Sequence, residues 1–214
     1  MQDRPPPENG SRSVARALIL AGLAGFGIGA LTSVGQGSLP HEVAALANSA
    51  GSWSAAAFVL ALVLGSGRVR LGALMGFVAL ATMLAGYIAA TAVRGYSSGT
   101  STILFWTAAA LVVGPILGVG AVWVRSGDPR RTAIGIAPLA GILIGEGIYG
   151  LRVVADTTYP PYWMTELVLG VALIVVVAIW VRRPALIAVS VGASAIVGLL
   201  FYLGYSGDLL ALVG

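Results

Sequence analysis

The chain has no cysteine and no lysine, and it holds a single histidine, His41. Without cysteine there can be no disulfide, no thiolate metal site and no cysteine nucleophile. Without lysine there is no Schiff-base residue, which excludes a retinal protein. One histidine, in a loop, is too few for a seven-span zinc hydrolase. It also leaves Ser194, in Gly192-Ala193-Ser194-Ala195, without a histidine from another span to activate it, so an intramembrane serine protease is not expected. Charge is scarce too: 9% of the 214 residues are charged, against roughly 25% in a soluble domain. No phosphate-binding glycine loop occurs. No catalytic activity, cofactor or metal site is therefore expected.

What the chain does have is hydrophobic length. It is 58% hydrophobic, in runs long enough to cross about 30 Å of hydrocarbon. The pattern predicts an all-α integral membrane protein of seven transmembrane helices, over 15–34, 53–65, 71–93, 103–124, 133–151, 163–181 and 185–204. Residues 1–14 are expected to form a disordered cytoplasmic tail, because they are polar and carry Pro5-Pro6-Pro7. Residues 205–214 are expected to be an apolar outer tail. Every arginine except Arg94 and Arg152 falls on one side of this layout. The positive-inside rule then puts the N-terminus in the cytoplasm and the C-terminus outside. The net charge of +4 follows from these loop arginines and is no sign of nucleic-acid binding.

The second span is short unless residues 43–52 join it. Pro40 can open a short helix, and Ser49-Ala50-Gly51-Ser52 can break it. Such a piece either lies on the membrane surface or dips inward; the surface is favoured, because irregular backbone at depth needs a protein or water lining. Span 1 carries Ala21, Gly25 and Gly29 on one face, where small residues let a helix approach closely. A partner membrane helix is one candidate for that face. Ala21–Gly29 also matches Ala137–Gly145 at six of nine positions, which suggests a parallel 3+1+3 repeat.

Within this layout Glu146 is the carboxylate assigned to a span. An ionised side chain there costs at least about 2.5 kcal/mol and usually marks function. It lies six residues before Arg152, about 9 Å below the outer end of its helix. Tyr87 lies at similar depth, and Trp53 and Trp106 lie near the outer face. Asn48 sits in the outer connection and Tyr149 one turn beyond Glu146. Glu166 is assigned to the outside, with Asp156, as a surface partner for Arg152. Together these residues suggest an outward-facing pocket floored by Glu146 and lined by Tyr149, Tyr87, Asn48, Trp53 and Trp106. The expected function is small-solute binding or transport, possible proton coupling included. The alternative is a non-catalytic accessory or structural subunit, in which Glu146 is structural glue. Lipid binding at the outer leaflet is a third option.

Ala47-Asn48-Ser49 followed by Trp53 and Ala57-Phe58, then Gly114-Pro115-x-x-Gly118, then Gly145-Glu146-Gly147-x-Tyr149, resembles an uncharacterised family of small actinobacterial integral membrane proteins. The resemblance covers most of the chain after the tail. It implies a multi-pass protein of the bacterial plasma membrane and brings no known activity. The 3+1+3 layout is also similar to that of SWEET and PQ-loop sugar transporters, in topology alone: the Pro-Gln signature is missing and the orientation is reversed.

Overall fold

The computed structural model describes residues 8–207, and among these the chain is helical with no strand. Helix α1 is Glu8–Ser38, α2 is His41–Ala44 and continues into a 3-10 turn Ala45–Asn48, and α3 is Ala50–Leu64. Then follow α4 Val69–Val93, α5 Thr100–Arg125, α6 Pro129–Gly135, α7 Ala137–Val153, α8 Pro160–Val181 and α9 Pro184–Tyr205. Six stretches are long and apolar enough to cross a membrane, with α6 and α7 counted as one. The pair His41–Asn48 and Ala50–Leu64 is bent by 61°. The expected helical membrane protein is thus what forms, with six candidate spans and a seventh if the bent pair is one span.

Proline sets several of the boundaries. Pro160 and Pro184 open α8 and α9, where the missing N–H costs nothing. Pro138 separates α6 from α7, since its ring clashes with the carbonyl four residues back. Two expectations change at the N-terminal side. Helix α1 begins at Glu8, within the stretch expected as a tail; residues 1–7 lie outside the described ones, as does the outer tail from residue 208. The break between α2 and α3 is not at a surface either. Ala45, Ala47, Ser49 and Ala50 are buried, so the break lies inside the protein, as a broken span or a re-entrant loop.

Close backbone approach organises the packing. A Cβ on Gly25 would lie 2.7 Å from the Ala79 carbonyl oxygen, and one on Gly29 would overlap the Met83 backbone. The Ala21/Gly25/Gly29 face is therefore filled by α4 of the same chain and is not open to a partner helix. Helices α4 and α5 meet the same way, through Gly72 and Gly76 against Gly114 and Gly118. Helix α7 meets α9 through Gly141 against Ser194 and Gly145 against Gly198. Helix α3 packs on α4 and α5 on one side and on α7 on the other. Its broken N-terminus is thereby carried to the centre of the bundle, next to Glu146.

Candidate functional site

The break before α3 exposes backbone donors that hydrocarbon cannot satisfy. Ser49 is the N-cap, its Oγ accepting from Ser52 N at 3.0 Å. The next two donors are taken by a side chain from another helix: Ala50 N donates to Glu146 Oε1 at 2.8 Å, and Gly51 N donates to Glu146 Oε2. Glu146 is 1% exposed. Its carboxylate sits on a helix N-terminus, where two convergent N–H groups and the helix dipole favour negative charge. Gly51 leaves room for both carboxyl groups, since a Cβ would stand 2.9 Å from Glu146 Oε2 and 2.8 Å from Glu166 Oε1 and would push them aside.

Glu166 is the residue that the sequence analysis misplaced. It is not an outer partner of Arg152. It is buried within α8, with 4% exposure, and faces the same serine. Ser49 Oγ lies 3.0 Å from Glu146 Oε2 and 2.5 Å from Glu166 Oε1. Tyr162 donates its hydroxyl to Glu166 Oε1 at 2.9 Å. Glu166 Oε2 has no partner. A readable signal did exist: Tyr162 and Glu166 stand at i and i+4, which puts them on one face of a helix.

Counting hydrogens limits what this cluster can be. A serine hydroxyl has one hydrogen and two acceptor positions. One acceptor position of Ser49 already receives Ser52 N–H. Both short contacts to carboxyl oxygens are hydrogen bonds only if one carboxyl carries a proton and donates to Ser49. Glu146 has both oxygens turned toward backbone donors and is the poorer carrier. The arrangement therefore accommodates one proton, on Glu166, in a line running Tyr162, Glu166, Ser49, Glu146. Two carboxylates coupled this closely titrate as a pair.

The other expected site residues divide between two cavities. Glu146, Tyr149 and Asn48 line one of about 340 Å³, together with His41, Thr157 and Tyr159. Asn48, Trp53, Tyr87 and Trp106 line a second of about 230 Å³. The single pocket floored by Glu146 is thus two neighbouring cavities, with Asn48 on both. Tyr87 is tied by its hydroxyl to Gln36 Oε1 at 2.9 Å, and Trp53 Nε1 donates to Thr32 Oγ1 at 3.1 Å. Asn48 does not cap α3; it accepts from Gln36 Nε2 at 2.8 Å. Between the two cavities stands Tyr205, which lines both. Its ring lies 5.0 Å edge-on from Tyr149 and 6.3 Å from Trp106. Sequence alone missed Tyr205, because α9 runs one residue further than expected. Among the described residues no three of His, Cys, Asp and Glu are grouped to hold a metal ion.

The model of a family of unknown function, DUF6518, matches residues 8–211, and the chain belongs to that family. No curated protein and no solved structure matches it.

Proposed function

For this member of DUF6518 we propose a non-enzymatic role: binding or transport of a small solute across a bacterial plasma membrane, linked to a proton held between Glu166 and Glu146. The observation that carries the reading is the shared serine. Two buried carboxyl groups converge on Ser49 at the break of a discontinuous span, beside a cavity at the arginine-poor end of the bundle. Broken helices with titratable groups at midmembrane are a recurrent way of coupling ions to alternating access. The arginine bias puts that end outside, with the N-terminus in the cytoplasm. The matching small-residue contacts of α1 with α4 and of α7 with α9 support a 3+1+3 repeat, across which two halves could rock.

The titratable groups around the pair are Tyr162 on α8, Tyr159 just before it, Tyr149 on α7, Tyr205 on α9 and His41 on α2; no arginine lines the adjoining cavity. The cysteine-free sequence makes a direct test available. Ala45 is 5% exposed and lines that cavity, so Ala45→Cys reports its opening to an impermeant maleimide. Proton linkage predicts a labelling rate that varies with external pH beyond thiol ionisation, and that loses this variation when Glu166→Gln is added. Identical pH profiles in the two backgrounds would refute the linkage.

The accessory-subunit reading has one observation in its favour: Glu146 is already fully used as the cap of α3. It predicts pH-independent labelling in both backgrounds and a stoichiometric membrane partner in gentle purification.

A further inference from the structure

Helices α5 and α9 do not close on each other along their outer halves. Between them lies an apolar crevice of about 360 Å³, walled by Phe105, Ala109 and Ile116 on one side and Val197, Leu200 and Phe201 on the other. Phe105, Ile116 and Leu200 are 49%, 48% and 55% exposed, so the crevice opens sideways, where lipid chains lie. From Phe105 to Ile116 is eleven residues, about 16 Å at 1.5 Å per residue. That is about half of a ~30 Å hydrocarbon core, the depth of one leaflet.

The upper end of the crevice is not a dead end. Trp53, Trp106 and Tyr205 line both it and the 230 Å³ cavity that holds Asn48 and Tyr87. The smaller cavity is polar in a particular way. Thr32, Gln36, Asn48, Tyr87, Ser98 and Thr102 offer hydroxyl and amide groups, and no charged side chain lines it. Ser98 Oγ is shielded from solvent and has no partner. A phosphate or carboxylate entering here would lose water and find no counter-charge. A neutral hydroxylated group would find donors and acceptors. The polar cavity alone is small, but joined to the crevice it falls well within the ~300–1,000 Å³ typical of ligand sites.

We propose that crevice and cavity form one site for an amphiphile with a single hydrocarbon chain and an uncharged, hydroxylated head, admitted laterally from the leaflet. The chain lies along α5 and α9, and the head reaches past Trp106 to Ser98 and Asn48. This deepens the solute-binding reading by naming a substrate class for the outer cavity, and depends on it only for the transport step.

The test is tryptophan quenching in nanodiscs of unbrominated lipid, titrated with a monoacylglycerol brominated on its chain. Trp53 and Trp106 flank the site, so the wild type should show a saturable component above the linear quenching of lipid-facing tryptophans. Ala109→Phe, which fills the crevice, should remove the saturable component. Ser98→Ala should keep its amplitude and raise the half-saturation point about fivefold, the factor for one lost hydrogen bond. Brominated phosphatidylglycerol should give only linear quenching. Linear quenching by the monoacylglycerol in the wild type would overturn the proposal. So would equal saturation by the phosphatidylglycerol, which would mean a greasy slot without head recognition. The titration reads no proton movement, so it can fail while the pH-dependent labelling of Ala45→Cys holds, and the reverse.

Discussion

Replacing the two carboxylates one at a time should have unequal consequences. Glu146 accepts from Ala50 N at 2.8 Å, from Gly51 N, and from Ser49 Oγ at 3.0 Å. In Glu146→Gln one oxygen becomes an NH₂ group facing a backbone N–H that has no other acceptor. A hydrogen bond to a charged group contributes about 1.5–3 kcal/mol, and an orphaned buried donor costs about 1–3 kcal/mol. Relief from burying an ion offsets part of this. The net loss should be about 2 kcal/mol, which for a chain of this size lowers Tm by about 4–8 °C. In Glu166→Gln an amide oxygen in the place of Oε1 still accepts from Tyr162, and only the contact with Ser49 Oγ, made by the same oxygen, is weakened. Its Tm should move by less than about 3 °C. Thermal unfolding in micelles, followed by tryptophan fluorescence, reads both. If Glu166→Gln falls as far as Glu146→Gln, the one-proton counting is wrong. If neither falls, Glu146 is not capping α3.

Three further outcomes are expected. Gly118→Ala puts a Cβ onto the Gly72 carbonyl oxygen, and since backbone meets backbone it should abolish recovery of monodisperse protein; Gly192→Ala, with nothing within 4 Å, should leave elution and Tm unchanged or slightly raised. Arg125 donates to Leu62 O at 2.7 Å and to Gly65 O at 2.6 Å, closing the C-terminal end of α3, so Arg125→Ala should lower Tm, by about 1–3 kcal/mol of stability, with partial recovery in Arg125→Lys. Asp156→Cys should label with impermeant maleimide on intact cells and Ser66→Cys only after permeabilisation; the opposite pattern would invert the orientation drawn from the arginines.

The long spans were legible because hydrophobic length is a local property; the second, short and bent, is the one that length alone leaves open. The broken helix was half legible. Pro40 and Ser49-Ala50-Gly51-Ser52 announced the break, but its depth depends on what surrounds it, and that cannot be read locally. The small-residue face of span 1 was legible in kind and not in owner: Gly25 and Gly29 do admit a helix, and it is α4. Glu166 lies in the first turns of the span 163–181, where closeness to a loop suggests the outside; its i,i+4 relation to Tyr162 is the local signal for the buried face. Ser49 was seen as a breaker and not as a ligand, since its two carboxyl partners are 97 and 117 residues away.

The geometry also changes which carboxylate should be asked to move a proton. A span broken inside a membrane protein must satisfy the first N–H groups of its second half, or leave them orphaned in a medium without water. Here that duty falls on Glu146, whose two oxygens meet Ala50 and Gly51. Turning Glu146 away would uncap α3, so it is the more constrained of the two carboxyl groups. Glu166 has no such duty: one oxygen contacts two hydroxyls, and the other has no hydrogen-bond partner. If a proton is carried, Glu166 is the carboxyl freer to carry it, with Ser49 as the contact through which the two are coupled. Losing that proton would place two like charges on one serine at the bend of α3, and the 61° joint is the element best placed to respond.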